Sequence, residues 1–319
     1  MQAGREQEVP VEQRPALDEK GEEIAHARII GNRHLFRILA RVTPISAVLI
    51  TLDEEPRIAA AIESVRFCDE ILVVDAGSTD RTREVAAAAG ARVLVNTPWP
   101  GFAAQRNHAT AAARHDWVLA VDADERVTPA LRAEIEALRA GGFGAAAGYR
   151  IPRVAFYLGR WIRGTDWYPD PQLRLFDRRR GTWGGGLVHE SFRADGPVGR
   201  LRHEIEHRSY EGLSDHLSAI DRYTTLWARQ AHADGRRAGP LDGGLASTWA
   251  FVRNYVLRRG FLLGEAGLTV SVLNAYYTFA KLAKLRELAR GGVHVQHPHA
   301  AGWRGGQNQV LLAASGRRR

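Results

Sequence analysis

The sequence predicts an α/β protein: a mostly parallel sheet flanked by helices, with a carboxyl-terminal helical extension. Three observations predict it. Short apolar runs alternate with helix-like segments from residue 45 to about 140, the signature of a parallel sheet covered on both faces. After residue 145 the runs become short and alternating, as in antiparallel or mixed strands. From 213 to 290 the pattern is helical and rich in aromatics and arginine. A chain of 319 residues can hold one large or two ordinary domains with ample core.

The elements follow in order. Residues 1–40 are charged and weakly patterned, and read as a loose tail. "ISAVLI" (45–50) is a short apolar run, hence a buried strand. "EEPRIAAAIESVRF" carries Ile58, Ile62 and Val65 on one helical face, with Pro56 suited to the first turn. "EILVVDAGSTD" gives a second strand ending at Asp75; Gly77 permits a tight turn, and Ser78 or Thr79 is placed to cap the helix "DRTREVAAAAG". "ARVLV" is a third strand, "GFAAQRNHATAAARH" is helical in composition, and "WVLAVD" is the next strand. Thr128 then caps, Pro129 starts and Gly141 ends a helix carrying Leu131, Ile135 and Leu138. Further on, "TWGGGLVHESF" reads as a glycine-rich loop followed by a polar pair, and residues 291–319, rich in Gly, His and Gln, as a second disordered tail.

Composition bounds the chemistry. The formal net charge is +8, and the only lysines are Lys20, Lys281 and Lys284, so the positive charge is nearly all arginine. Such a balance favours anionic partners, although a genome-level arginine bias gives the same composition. Cys68 is the single cysteine, which excludes an intramolecular disulfide or a cysteine-rich metal site and fits a reducing compartment. The first 30 residues have no secretory pattern. The longest apolar candidate, 266–280, is shorter than the ~20 residues that a membrane span needs. Basic residues are spread rather than gathered, and no zinc-finger or helix-turn-helix pattern stands out, so no nucleic-acid partner is expected.

Loops that follow parallel strands emerge at the carboxyl edge of the sheet, where ligands bind. Asp53, Asp75, Asp122 and Asp124 all fall in such loops. Two carboxylates at i and i+2 can reach a divalent cation and a sugar ring together, and Mg²⁺ or Mn²⁺ takes oxygen ligands, often shared with substrate phosphates. No glycine-rich phosphate loop is present, so a metal would supply the diphosphate site. Alone, an Asp-x-Asp triplet is a frequent chance pattern, and polar residues at strand ends are ordinary turn formers.

Here the sequence resembles a known family. "ISAVLITLDEE", "ILVVDAGSTDRT", "GFAAQRNHA" and "WVLAVDADE" occur in the order and spacing of family 2 glycosyltransferases, which have the GT-A (Rossmann-like) fold. "GYRIPR", "FYLGRWIR", "WYPDPQLRLF", "LVHES" and "GFLLGEAGLTVSVLNAYYTFAKLAKL" look like the subgroup of bacterial lipopolysaccharide-core β-glucosyltransferases. The first loop departs slightly, reading Thr51-Leu52-Asp53-Glu54 where many relatives have asparagine before the glutamate, which puts Asp53 in doubt as a nucleotide contact.

The resemblance implies roles. Thr51, Glu54 and Asp75 would hold the nucleoside, and Gly77 would let the backbone approach the base. Gln105 or Arg106 would meet phosphate or sugar; a solvated helix face is the bland alternative for Arg106. Asp122 would bind ribose or sugar hydroxyls, partly through the metal, with Asp124 the main ligand of Mg²⁺ or Mn²⁺ and His189 a further ligand or a positioning donor. An inverting transfer also needs a base, for which Glu190 and Asp170 compete. Gln172 and Arg174 alternate along one strand and could face the site. The expected reaction moves a hexose, glucose foremost, from a UDP-sugar to a lipid-linked cell-envelope glycan. A sugar nucleotidyltransferase is the enzymatic alternative, and a nucleic-acid-binding protein the non-enzymatic one.

The organisation so implied is a tail over 1–43, a GT-A catalytic domain over 44–212, a helical extension over 213–290 and a tail over 291–319. In the extension, Trp249, Phe251, Tyr255 and Phe261 mix with Arg253, Arg258 and Arg259, while Leu282, Leu285 and Leu288 lie near one helical face with Lys281, Lys284 and Arg286 elsewhere. Aromatic–basic helices suit an anionic membrane interface, and a helical layer packed on the catalytic domain gives the same pattern. The expected location is the bacterial cytoplasm, peripherally on the inner face of the inner membrane.

Overall fold

The computed structural model describes residues 42–185 and 190–291. The two expected tails therefore lie almost wholly outside the described residues, as does His189.

Strand β1 (Ile45–Thr51) is buried along its whole length. It alternates between the two sides of the sheet, as a period of two requires. Ile45, Ala47 and Leu49 join one core with Ile58, Ile62 and Val65 of helix α1 (Glu55–Ser64) and its end. Val48 and Ile50 join the other, with Ala109 of helix α3 (Phe102–Ala112). β2 (Glu70–Asp75), β3 (Arg92–Val95) and β4 (Trp117–Ala120) complete a parallel unit in the order β3-β2-β1-β4. Helices α2 (Thr82–Ala88) and α4 (Pro129–Ala140) complete the helices of this half. Thr128 caps α4, its hydroxyl accepting from Leu131 N–H at 3.2 Å, and Gly141 ends it as predicted.

α2 corrects the sequence reading. It starts at Thr82, and neither Ser78 nor Thr79 caps it. Ser78 is already spent: its hydroxyl donates to Asp75 and accepts from Asp53 N–H. Asp80 Oδ1 accepts from Thr82 N–H instead.

Beyond β4 the sheet turns mixed. β8 (Asp170–Asp177) runs antiparallel to β4, and β6 (Gly148–Tyr157) antiparallel to β8. β12 (Ile205–His207) then lies parallel to β6, and β5 (Glu125–Val127) antiparallel to β12. β7 (Arg160–Ile162) and β11 (Val198–Arg200) also pair with β6. The glycine-rich stretch is only partly a loop: Gly181–Gly184 is strand β9, paired with β10 (Ser191–Ala194). Its Trp183 and Phe192 pack on Phe176 of β8, with Phe176 and Phe192 stacked at 3.8 Å.

The helical extension comprises α5 (Leu213–Ala233), α6 (Asp242–Val252) and α7 (Gly264–Ala289), with a π turn and a 3-10 turn between α6 and α7. Its core is continuous with the sheet: Tyr157, Ile162 and Trp167 are buried together with Tyr210, Ile220, Tyr223, Val270 and Tyr277. A polar clamp fixes the junction. Arg253 pairs with Asp166, and Asn254 Nδ2 donates to the same carboxylate at 2.9 Å. Gly267 allows the closest approach, since a β-carbon there would stand 1.9 Å from the Gly260 carbonyl oxygen.

The expected basic face of α7 is not free. Lys281 lies over the rings of Trp227 and Tyr277, and Lys284 Nζ is held by Asp221 at 2.7 Å. Exposed instead are apolar side chains: twelve of the eighteen exposed large hydrophobics among the described residues lie between Leu241 and Phe279.

Candidate active site

The carboxyl ends of β1, β2 and β4 carry the loops that sequence reasoning singled out. The first two loops are stitched to each other. Asp53, in the left-handed region with φ 52°, accepts from Thr79 N–H at 2.7 Å and Thr79 Oγ1 at 3.2 Å. Aspartate tolerates that conformation better than most residues. Asp75 is fully buried. Its Oδ1 accepts from Gly77 N–H at 2.9 Å and Ser78 N–H at 2.8 Å, and its Oδ2 from Thr51 Oγ1 at 3.2 Å. Gly77 has φ 99°, and a β-carbon would stand 3.0 Å from Thr97 Cγ2, so the turn selects glycine. Glu54 is buried, with Oε2 accepting from Arg57 Nη1 at 3.2 Å and Oε1 unpartnered. Burial first, and then the Asp124 charge, push its carboxyl up to about 8 despite Arg57. A cleft of about 310 Å³ opens here between Asp53, Glu54, Arg57, Thr79, Asp80 and Glu211.

Three consecutive residues of α3 do three different jobs. Gln105 is fully buried, its oxygen accepting from Asn96 Nδ2 at 2.6 Å, so its amide is engaged within the fold. Arg106 is not a solvated helix residue: it is buried, donates from Nη2 to Asp122 Oδ1 at 2.7 Å, and has Nε 3.5 Å from Glu190 Oε1. Its guanidinium also lies 4.8 Å from the Trp183 ring centroid. Asn107 locks β9 to the helix, accepting from Trp183 N–H at 2.9 Å and donating to the Trp183 carbonyl at 2.9 Å. Strand β9 is thereby held against α3.

The two aspartates of the triplet have opposite surroundings. Asp122 is clamped between Arg106 and Arg174, whose Nη2 stands 2.6 Å from Oδ2. Burial alone would raise its carboxyl, but the two guanidinium groups outweigh burial and hold it well below the usual carboxylate range. Asp124 is equally buried, yet neither carboxylate oxygen has a hydrogen-bond partner. His207 Nε2 is 3.2 Å from Oδ2, close enough to pair but not in hydrogen-bond alignment. Burial raises the Asp124 carboxyl, His207 draws it back, and Asp122 and Glu125 push it further up.

The charge network extends past what the sequence suggested. Arg174 also meets Glu125 at 2.8 Å, and Arg153 bridges Glu125, at 3.3 Å, to Asp170. Asp170 accepts from Arg153 Nε at 3.0 Å on one oxygen and from Gln172 Nε2 at 2.6 Å on the other. Glu125, Arg153 and His207 were missed. Their signals were faint: a carboxylate three residues after Asp122, an arginine within the apolar run "RIPRVAF", and a lone histidine after a short strand.

These are the residues against which a divalent cation is tested. Among the described residues, no three ligating side chains converge. Asp124 and His207 offer an oxygen and a nitrogen donor side by side, and the orphaned carboxylate oxygens are what a cation would satisfy. Among the described residues five carboxylates (Asp122, Asp124, Glu125, Asp170, Glu190) meet three guanidinium groups (Arg106, Arg153, Arg174) in this network. Hard cations that keep open positions for substrate oxygens suit such a pair. The residues present fit the group.

Residues 46–192 match the profile of glycosyl transferase family 2. The chain is similar to an uncharacterized glycosyltransferase of Rickettsia typhi, at 31% identity over 256 residues, covering 77% of this chain and 87% of that protein. It is also similar to the lipopolysaccharide core biosynthesis glycosyltransferase LpsC of Rhizobium meliloti, at 29% identity over 248 residues, covering 76% and 92%. Among solved structures, a mannosyltransferase from Pyrobaculum calidifontis in complex with GDP-Man and Mn²⁺ aligns with a TM-score of 0.47 and 16% identity, over 82% of this chain and 97% of that one.

Proposed function

The chain belongs to glycosyltransferase family 2, and from that premise we propose that it transfers a hexose, glucose foremost, from a UDP-sugar to a lipid-linked glycan of the bacterial envelope, with inversion. The observation that carries the reading is the contrast within the triplet: Asp122 is ion-paired to an arginine on each oxygen, whereas Asp124 is buried with both oxygens lacking a hydrogen-bond partner beside His207. Asp124 and His207 would hold Mg²⁺ or Mn²⁺, which when bound acts as a Lewis acid on the leaving diphosphate.

The chain's own residues do the rest. The interlocked loops of Thr51, Asp53, Asp75 and Gly77 form a rigid floor for the nucleoside. Asp122, kept ionised and fixed by Arg106 and Arg174, accepts hydroxyl hydrogens of the donor. Glu190 takes the proton from the acceptor hydroxyl. Of the two candidates, Asp170 is held on both oxygens by Arg153 and Gln172 within the buried network, and Glu190, with Oε1 3.5 Å from Arg106 Nε, is the base preferred here.

The relation to LpsC supports an envelope acceptor. The apolar surface of the extension, with Leu245 69%, Trp249 54% and Leu262 64% exposed, supports peripheral contact with the cytoplasmic face of an anionic membrane. Among the described residues no helix is long and apolar enough to cross a membrane.

The test is direct: incubate the purified protein with Mg²⁺ or Mn²⁺ and a panel of nucleotide sugars, and measure nucleoside diphosphate release. Release from one UDP-hexose above the others supports the reading. No release from any nucleotide sugar, with or without envelope extract as acceptor, refutes it.

A further inference from the structure

A buried hydroxyl completes the surroundings of His207. Ser209 follows it by two residues, just past the end of β12, and both side chains are buried. Ser209 Oγ lies 2.8 Å from His207 Nδ1 and 3.1 Å from Nε2, so it faces the ring edge between the two nitrogens. Nε2 is also the atom 3.2 Å from Asp124 Oδ2. The imidazole thus sits between a carboxylate and a hydroxyl. The segment that carries both residues is pinned on two sides. Toward the site, Arg208 N–H donates to the Asp124 carbonyl at 3.0 Å, and His207 is the register partner of Glu125 in β5 and of Ala155 in β6. Toward the extension, the Tyr210 ring stacks on that of His216 in α5, with centroids 4.2 Å apart, and Tyr210 belongs to the core shared with the sheet. Ser209, between Arg208 and Tyr210, is therefore held at both flanks.

We propose that Ser209 is a positioning residue for His207: its hydroxyl accepts from Nδ1–H and so leaves the Nε2 lone pair free beside Asp124. That role rests on the glycosyl-transfer reading, in which Asp124 and His207 would hold Mg²⁺ or Mn²⁺. A neutral imidazole has one N–H and one lone pair, and the hydrogen bond at one nitrogen sets what the other can do. Only the tautomer protonated on Nδ1 offers Nε2 as a ligand. Without Ser209 that tautomer would carry a buried N–H with no acceptor, which is costly. A hydroxyl serves both states of the ring: it donates to a bare Nδ1, and it accepts from Nδ1–H after rotating about one bond. Ser209 therefore lets His207 change tautomer without either backbone moving.

The experiment uses the full-length protein. UDP affinity is measured by calorimetry across a series of Mn²⁺ concentrations and with chelator. Ser209→Ala should shift the Mn²⁺ response to about 10–100-fold higher concentration, the usual worth of a group that orients a ligating histidine. UDP affinity with chelator should stay near wild type, whereas a hydroxyl that only packed the fold would alter both affinities or neither. Ser209→Thr, which keeps the hydroxyl, should restore most of the response. A second readout needs no turnover: in the Mg²⁺–UDP complex, His207 Nδ1–H should give an exchange-protected proton resonance that is displaced or lost in Ser209→Ala. Ser209→Gly removes the same hydroxyl and serves if the alanine variant does not fold. A wild type that responds to Mn²⁺, beside a folded Ser209→Ala or Ser209→Gly that responds equally and keeps the Nδ1–H resonance, overturns the Ser209 assignment alone. A wild type whose UDP affinity ignores Mn²⁺ sinks the metal reading and the Ser209 assignment with it.

Discussion

His207 Nε2 lies 3.2 Å from Asp124 Oδ2, across 83 residues of sequence, and the carboxylate has no hydrogen-bond partner. Among the described residues Asp124 ion-pairs with no guanidinium, unlike Asp122, Glu125, Asp170 and Glu190. UDP binding should therefore depend on a divalent ion, and on both residues. Calorimetry in Mn²⁺ should show at least tenfold weaker UDP binding by Asp124→Ala and by His207→Ala. A chelator should bring the wild type to the same level. Burial favours the protonated Asp124 carboxyl, and a proton there competes with the metal, so the metal-dependent part should fade as pH falls. Equal affinity with and without chelator removes the metal from the account.

Glu54 gives a pH prediction of its own in the metal-free protein. Burial, with Asp124 and Asp122 nearby, raises its carboxyl from 4.5 to about 8. A folded-state value above the unfolded one means that the folded state holds the extra proton between the two. The stability Glu54 contributes is thus complete below about 4.5, falls as pH rises, and is lost above about 8. Thermal melts across that window should decline in the wild type and decline less in Glu54→Gln. Parallel pH profiles for the two proteins would mean that Glu54 ionises normally.

What was legible in the sequence was local. Apolar runs such as "ISAVLI" and the Thr128-Pro129 start of α4 depend on neighbours in the chain, and the structure matches them. The position of Asp122 and Asp124 at a strand end was also a local reading. Their different surroundings were not, because those come from pairing β8 with β4 and β12 with β5 and β6. These pairings bring Arg174 and His207 to the triplet, and sequence spacing does not encode them. Ser78 failed as a cap for the same reason: Asp53, 25 residues earlier, competes for its hydroxyl. The extension's basic residues looked like a solvated face until tertiary packing spent Lys281 and Lys284.

The membrane prediction now rests on apolar rather than basic side chains. Leu257, Phe261 and Leu262, 58%, 47% and 64% exposed, flank Arg258 and Arg259 in the turn between α6 and α7. Vesicle flotation should show association with anionic bilayers. Replacing the three apolar residues by serine should reduce it severalfold, while the melting temperature stays near the wild type because surface changes cost little. High salt should weaken the binding only in part, since the apolar component is not screened. Unchanged flotation by the triple variant would place the contact elsewhere.

The final prediction separates the two carboxylates that compete for the role of base. Asp170 is engaged on both oxygens, by Arg153 and by Gln172. Glu190 Oε1 stands 3.5 Å from Arg106 Nε, just before β10, whose partner strand β9 is anchored to α3 by Asn107. Glu190→Gln preserves size and hydrogen bonding but cannot accept a proton. It should leave UDP affinity nearly intact while transfer falls by about 10²–10⁴-fold, the usual worth of general-base catalysis. The loss should appear in kcat rather than in the KM for donor, as expected for an interaction used in the transition state. Asp170→Asn should behave differently. Its removal leaves Arg153 buried beside Glu125 with one partner fewer, so it should lower the melting temperature, as breaking a buried pair does. Near-normal transfer by Glu190→Gln, together with a stable Asp170→Asn that binds UDP but transfers nothing, would reverse the assignment.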